Sequence, residues 1–321
     1  MSAHPMTIEI LENDPLQEAN LTTFYQQMKS TYETLSTVSY FTDIIKIIII
    51  IFVILVDIFL IDILRCNSKL KTKVNQIILH YSVSHILFTI CHTLVFDFII
   101  VTGLILYLPS ILFDILYFFQ NFGLLLNYIF SFGLGMEWLC TVYNPYFGQH
   151  CKTINNYSII MFYLIGAGLC GIQVGFMFTS YWYVESIIPK MIYLVCLMFI
   201  LVCNLFQYKR RNIANKDTYV LSIANVLILF WVPLFIYDEF LMYWTYGSYI
   251  LYTIALFTID IPQWLTFITP IAVVIILRRH DEQFRRAIDR RSMWLLKNSD
   301  ENSEEDDEQN NVTSDTNIFN V

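Results

Sequence analysis

Charged residues are scarce in this sequence: Asp, Glu, Lys and Arg make up 14% of its 321 residues, against about 25% in soluble globular domains. They gather in short islands between long uncharged runs, and hydrophobic residues reach 56%. This distribution is unlike that of a soluble domain, and it predicts a membrane protein with several spans. The net charge of −8 comes largely from Asp300–Glu308, where seven of nine residues are acidic. We expect that segment to be disordered.

Two further absences concern secretion and disulfides. Residues 1–30 contain no apolar run typical of a cleaved signal peptide, so we expect the first hydrophobic helix to insert unaided. The cysteines lie in apolar runs or in predicted cytosolic loops, which is typical of reduced thiols. They are Cys66, Cys91, Cys140, Cys151, Cys170, Cys196 and Cys203.

The motifs of membrane hydrolases are also absent: the sequence has no H-E-x-x-H and no G-x-S-x-G. His85 and His92 lie seven residues apart, or roughly 10 Å along a helix axis, which is too far for shared ligation of one zinc at about 2 Å. No internal repeat of the kind found in transporters is visible. We therefore predict a protein that is not an enzyme, with no cofactor, no metal and no nucleic-acid partner.

What is present is a series of apolar runs near the roughly 20 residues that a helix needs to cross a bilayer. They predict an all-α bundle of seven membrane-spanning helices, with the third at its centre. The predicted spans are Ile44–Leu64, Val74–Gly103, Ser110–Val142, Tyr157–Phe178, Met191–Tyr208, Tyr219–Asp238 and Ile250–Leu277. Breaks between the second and third are scattered, so their boundary is the hardest to place. We also predict a loop over Thr179–Lys190 and interruptions of the seventh helix at Pro262 and Pro270.

Sixteen of the nineteen Lys and Arg residues fall on one side of these spans, which predicts an N-terminus outside and a C-terminus in the cytosol. The predicted organisation is an extracellular tail over 1–43, a bundle over 44–277, a cytosolic amphipathic helix over 278–296 and an acidic disordered tail over 297–321. Asn20-Leu21-Thr22 is a glycosylation acceptor in the outer tail.

Ionisable residues inside the spans are candidate functional groups, because burying them in lipid is costly. They are Asp57, His85, His92, Glu137 and Asp260. Asp57 precedes His85 by 28 positions, and the two could satisfy each other inside the bundle. The alternative is that each meets a backbone carbonyl or water. Asp260 could pair with a cationic ligand, cap the helix break at Pro262, or meet a neighbouring polar side chain.

Several motifs resemble those of rhodopsin-like G-protein-coupled receptors. The spacing of Asp57 and His85 is that of the Asn–Asp pair in helices one and two of that family. Phe230-Trp231-Val232-Pro233 resembles C-W-x-P, and Thr269-Pro270 stands at the N-P of N-P-x-x-Y. Phe284-Arg285-Arg286 resembles the start of the short cytosolic helix eight. The resemblance implies Asp57, His85, Pro233 and Pro270 as switch or core polar positions, with helix six pivoting at Pro233.

Glu137-Trp138-Leu139-Cys140-Thr141-Val142 loosely resembles the E-R-x-x-A-T pattern of nematode serpentine chemoreceptors, particularly the Sra, Srb and Sre branch. Trp138 stands where that pattern has Arg. The outer disulfide usual in rhodopsin-like receptors has no cysteines to form it. These departures predict unusual coupling or weak signalling.

The resemblance implies a chemosensory receptor in the plasma membrane, with a sensory cilium as a candidate location, a small-molecule ligand and a heterotrimeric G protein as partner. The alternative is a seven-helix transporter or ligand-gated channel without a G protein. The predicted ligand-binding residues are Gln120, Asn121, Asn127, Trp231, Asp260 and Gln263. The predicted cytosolic coupling residues are Glu137, Trp138, Lys209, Arg210, Arg211, Arg285 and Arg286. The cationic ones among them could bind anionic lipid headgroups instead of a partner protein.

Overall fold

A computed structural model of the chain describes residues 15–102, 109–147, 157–177, 182–209, 218–244 and 260–291. Helix accounts for nearly all of them, and these residues contain no strand. The chain divides into two compact units, Met1–Lys46 and Ile47–Val321. The candidate functional site described below lies in the second unit.

We number the α-helices in chain order. They are α1 (Pro15–Cys66), α2 (Lys73–Thr89), α3 (Val95–Thr102), α4 (Ser110–Phe147), α5 (Ser158–Met177), α6 (Trp182–Lys209), α7 (Thr218–Leu229), α8 (Val232–Trp244), α9 (Asp260–Phe267), α10 (Thr269–His280) and α11 (residues 282–291). A 3-10 turn, Ser68–Leu70, precedes α2, and a π-helical segment, Ile90–Leu94, joins α2 to α3.

Six of the described helical stretches are long and apolar enough to cross a membrane, so the protein is embedded in one. They are Tyr40–Cys66, Lys73–Leu94, Ile111–Val142, Ser158–Phe176, Ile187–Lys209 and Tyr219–Glu239. Each overlaps one of the first six predicted spans. Isoleucine-rich runs such as that in α1 are poor helices in water, but lipid leaves the backbone no other way to satisfy its hydrogen bonds.

Several boundaries differ from prediction, including the ends of α4 at Phe147 and of α8 at Trp244, which lie beyond the predicted Val142 and Asp238. Helix α1 begins at Pro15, well before the predicted start at Ile44. The predicted loop over Thr179–Lys190 is wrong from Trp182 onward, because α6 begins there and accommodates Pro189. The helix that begins at Thr269 runs to His280, three residues beyond the predicted end at Leu277.

The prolines of the predicted seventh helix are Pro262 and Pro270. Pro262 lies within α9, but the residues that precede Asp260 are outside the described part of the chain, and so the predicted interruption at Pro262 stays a prediction. The break is at Ile268, immediately before Thr269 and Pro270, and Pro270 lies in the first turn of α10. The predicted interruption at Pro270 is therefore confirmed, and Pro270 starts the second segment.

Helix α4 packs against four others, α2, α5, α6 and α7. Its residues from Asn121 to Gly135 are buried except for three that are half-buried. Gly123 allows close approach of α2: a Cβ built there would lie 2.8 Å from the backbone nitrogen of Phe88. The core clusters around this helix and includes Leu126, Phe130 and Leu134.

Candidate functional site

A carboxylate and an imidazole meet in the interior, between α1 and α2. Asp57 Oδ2 lies 2.7 Å from His85 Nδ1, and both residues are completely buried. The contact is the one that the 28-residue spacing allowed, and it excludes the alternative in which each residue meets only backbone or water. Two atoms of the pair, Asp57 Oδ1 and His85 Nε2, have no hydrogen-bond partner among the described atoms.

Tyr81 links this pair to α10. Its ring stacks on His85, with centroids 5.7 Å apart and planes inclined by 19°. Its hydroxyl donates to Thr269 Oγ1 at 3.2 Å, immediately before Pro270. Thr269 in turn donates to the carbonyl of Thr266 across the break at Ile268. The pair between α1 and α2 is thereby connected to the turn that separates α9 from α10.

A second polar contact joins α2 to α4. Ser84 Oγ lies 2.7 Å from Asn127 Oδ1 and 2.8 Å from the carbonyl oxygen of Tyr81, but its single proton can serve one acceptor fully. Asn127 Nδ2 is buried without a partner. Exchanging the amide oxygen and nitrogen lets Asn127 donate to Ser84 while Ser84 donates to Tyr81. We assign that orientation because each donor then has one acceptor, and the Asn127 atom without a partner among the described atoms is the oxygen instead of the nitrogen.

Trp231 lies in an aromatic cluster beside these contacts. Its ring centroid is 5.4 Å from that of Phe88 on α2 and 5.4 Å from that of Tyr128 on α4. It occupies the turn that separates α7 from α8, two residues before Pro233. Proline cannot donate to the preceding turn, so the helix is interrupted where Trp231 enters the core. The predicted kink at Pro233 is therefore a distinct break at Phe230 and Trp231.

The structure brings some of the predicted ligand-binding residues together. Phe88 stacks on His92 with centroids 5.0 Å apart, and Gln263 Nε2 donates to His92 Nε2 at 3.0 Å. Trp231 and Gln263 are therefore joined through Phe88 and His92. His92 is not among the predicted ligand-binding residues, but these contacts make it part of the site.

The other predicted ligand-binding residues lie outside this series of contacts. Asn121 donates its amide to the carbonyl of Tyr117 in its own helix at 2.9 Å, so one of its donors is occupied. Gln120 is half-buried on the neighbouring face of α4. Asp260 begins α9, but its side chain lies outside the described part of the structure.

At the predicted cytosolic end, Glu137 and Trp138 behave differently. Glu137 Oε1 lies 3.8 Å from Lys73 Nζ, so an ion pair joins α4, ten residues before its end at Phe147, to the start of α2. Trp138 is only 3% exposed and packs into the core. The predicted contact between Trp138 and a partner protein is therefore not available at the surface of this conformation, because an uncharged indole gains more by packing than by facing water.

The remaining predicted coupling residues are cations. Lys209, Arg285 and Arg286 are exposed, and Arg286 pairs with Glu282 one turn away. Arg210 and Arg211 lie outside the described residues, as does the acidic tail over 297–321. Asn20 lies within α1, and its side chain is outside the described part.

Sequence reasoning missed two polar contacts between helices. Asn204 on α6 and Asn225 on α7 exchange reciprocal amide hydrogen bonds of 2.6 and 2.9 Å. Lys190 on α6 pairs with Glu239 on α8 near the opposite end of the bundle. Each asparagine stands alone in an apolar run, which is the same signal that identified Asp57, and it was overlooked because the residue carries no charge.

Among the described residues, no group of three or more His, Cys, Asp and Glu side chains is arranged to hold a metal ion. None of the six cysteines in that part of the chain forms a disulfide, and Cys151 lies outside it. Neither a known family model nor any curated protein matches the chain.

Proposed function

We propose that this membrane protein is a seven-helix, rhodopsin-like receptor with its N-terminus outside the cell, of the kind found among nematode serpentine chemoreceptors. A small molecule would bind between the outer halves of the helices. Signal would pass through the cytosolic face to a heterotrimeric G protein at the plasma membrane. The proposal rests on the motifs quoted above and on the geometry of the bundle interior.

The observation that carries it is the buried contact between Asp57 and His85. Charged and imidazole side chains are expensive at membrane depth and are usually functional there. This pair joins the first two spans at the spacing of the receptor family's polar pair, and Tyr81 connects it to Thr269 beside Pro270. A switch that couples helices one, two and seven needs such a connection.

The seventh span would be formed by α9 and α10. Together they run from Asp260 to His280, which at about 1.5 Å per residue approaches the 30 Å thickness of the hydrocarbon core. The turn at Ile268 divides the described part of this span into α9 and α10. Thr269 meets Tyr81 in the interior, which supports placing both segments in the bundle.

The ligand would act on the cluster of Trp231, Phe88 and His92. This cluster lies beside the break between α7 and α8. A molecule that displaces Trp231 therefore also removes packing contacts that hold the two helices at that break. A ligand with different affinity for two arrangements of the break would shift their populations. Opening of the opposite end of α7 would then expose the surface near Glu137.

The topology is tested first, by tagging each terminus and probing tag accessibility in intact cells. An accessible N-terminal tag and a protected C-terminal tag are expected. A cytosolic N-terminus would refute the receptor topology.

Signalling is tested by expressing the chain in reporter cells and screening volatile and soluble small molecules. Trp231→Leu should lower the response to any active compound at least about tenfold, the loss of roughly 1.4 kcal/mol of ligand contact. Phe119→Leu is the matched control, because Phe119 is an aromatic of α4 that is 40% exposed. A ligand-gated current that survives G-protein blockade would favour the transporter or channel alternative.

A further inference from the structure

A cleft lies at the end of the bundle where most basic residues gather, between the turn after α1 and one face of α11. Its volume is about 450 Å³, within the range of about 300–1,000 Å³ typical of small-molecule sites. Asn67, Lys69 and Leu70 line it from the turn. Gln283, Arg286, Asp289 and Arg290 line it from α11.

The wall formed by the turn after α1 is held in place without any ligand. Asn67 donates its amide to the carbonyl of Ile63 at 3.0 Å, and Asn75 donates to the carbonyl of Leu70 at 3.0 Å. Leu70 itself is 1% exposed and belongs to the core. Because its backbone is fixed at both ends, the turn presents Lys69 from a defined position.

The wall formed by α11 is equally well anchored. Phe284 and Ala287 are buried in the core, and the Asp281 carboxylate caps the helix by accepting from the N–H groups of Gln283 and Phe284. Arg291 reaches back to Asp62 on α1, with 3.0 Å between guanidinium and carboxylate. With that face fixed in the core, the flank of α11 that carries Gln283, Arg286 and Arg290 is held beside the cleft.

The cleft carries an excess of positive charge. Lys69, Arg286 and Arg290 line it together with one described carboxylate, Asp289. Arg290 donates Nε to the carbonyl of Arg286 at 3.2 Å, which orients its guanidinium. Arg286 also pairs with Glu282, but both side chains are more than 60% exposed, and such exposed pairs contribute little. Three cations around one cavity repel each other until an anion enters.

We propose that this cleft binds a phosphorylated inositol ring, supplied by phosphoinositide lipids of the cytosolic leaflet. Arginines hold phosphate oxygens through paired N–H donors, and lysine adds a point charge. Basic residues next to the cytosolic end of a span lie at the depth of lipid headgroups. The location in the cytosolic leaflet rests on the proposed orientation of the receptor, whereas the binding chemistry does not.

The test uses the purified full-length chain in nanodiscs of neutral phosphatidylcholine, with and without a few per cent phosphatidylinositol bisphosphate. The readouts are lipid binding and thermal unfolding, since a ligand that binds the folded state raises its stability. Lys69→Gln/Arg286→Gln/Arg290→Gln should weaken binding at least tenfold. Arg278→Gln/Arg279→Gln/Arg285→Gln removes the same charge from exposed residues outside the lining and should change it less than about twofold.

Asp289→Asn provides a change of opposite sign that keeps the cations intact. It removes the carboxylate that competes with phosphate, so binding should strengthen by about two- to threefold. This variant decides the matter if the triple variant fails to fold in neutral nanodiscs. Equal binding by the wild type, the triple variant and Asp289→Asn would overturn the proposal.

Two further arms identify the source of the ligand. Soluble inositol trisphosphate that binds as tightly as the lipid, with the same dependence on the triple variant, would support the site with a soluble ligand. If phosphatidylserine binds equally well, the assignment of the cleft to a phosphorylated inositol ring is overturned. Binding that appears only after deletion of residues 297–321 would show that the acidic tail occupies the cleft, and would overturn the lipid proposal. None of these readouts depends on signalling, so a failed receptor assay leaves them interpretable.

Discussion

Helices α4 and α5 are both long apolar spans, yet one is the centre of the bundle and the other lies at its edge. The α4 span has a mean hydropathy of 1.3, and 50% of the residues in its most apolar 18-residue window are buried. The α5 span has a mean hydropathy of 2.0, and the buried share is 17%. The span that begins at Lys73 follows the same trend, with a hydropathy of 1.4 and 56% buried. In this protein the least hydrophobic spans are the most enclosed. Lipid tails solvate apolar side chains as well as protein does, so polar side chains decide which helices need protein neighbours.

The glycines of the two helices show the same division. In α4, Cβ atoms built on Gly123, Gly133 and Gly135 would each come within 3 Å of a neighbouring residue. In α5, Gly168, Gly171 and Gly175 have no neighbour within 4 Å of that position. Among the α5 glycines, Gly166 is the one with a close neighbour, the side chain of Leu126.

The largest effect on stability is expected when one member of the buried pair of Asp57 and His85 loses its partner. Asp57→Ala or His85→Ala should destabilise the protein by about 3–5 kcal/mol, because the remaining group stays buried and unpaired. Thermal unfolding in detergent and surface expression measure the loss. Ile58→Ala, at an exposed neighbour of Asp57, is the matched control and should have little effect.

The pairing itself is tested by Asp57→Asn/His85→Asp. The exchange keeps a hydrogen-bonded acid in the interior, so surface expression should recover relative to either single substitution. Losses that simply add would contradict an energetic link between the two positions.

The next largest effect on stability is expected from a glycine of α4, and the same substitution in α5 should have none. Gly123→Ala should cost about 1–3 kcal/mol, because the new methyl group meets backbone atoms of Phe88 that cannot rotate away. Gly171→Ala on α5 adds the same methyl group in open space and should leave the unfolding temperature unchanged. Equal effects of the two substitutions would show that α5 is enclosed by something other than lipid.

Much of this arrangement was predictable from the sequence. The apolar runs placed the first six spans, and the spacing of Asp57 and His85 indicated their contact. Which glycines pack was not predictable, since Gly123 and Gly171 have similar apolar neighbours along the chain and differ only in what lies across from them. The burial of Trp138 and the amide pair of Asn204 and Asn225 depend on the same three-dimensional information.

A smaller effect is expected from the contact between Ser84 and Asn127. Single hydrogen bonds between membrane helices contribute about 0.6 kcal/mol on average and up to about 2 kcal/mol. Ser84→Ala, Asn127→Ala and the double substitution should therefore show a coupling energy of that size. Ser131→Ala is the control, because its hydroxyl donates to the carbonyl of Asn127 within the same helix. No coupling between Ser84 and Asn127 would contradict a hydrogen bond between them.

The smallest effect should come from the ion pair between Glu137 on α4 and Lys73 at the start of α2. Lys73 and Glu137 are 3.8 Å apart, with side chains 43% and 24% exposed, and partly exposed pairs contribute about 0–1 kcal/mol. Lys73→Gln should therefore lower stability by less than 1 kcal/mol at low salt, and the difference from wild type should shrink as salt screens the pair. Lys71→Gln, at an exposed lysine two residues away, is the control. A loss from Lys73→Gln that persists at 1 M salt would mean that α4 is held at this end by packing around Trp138 instead of by charge.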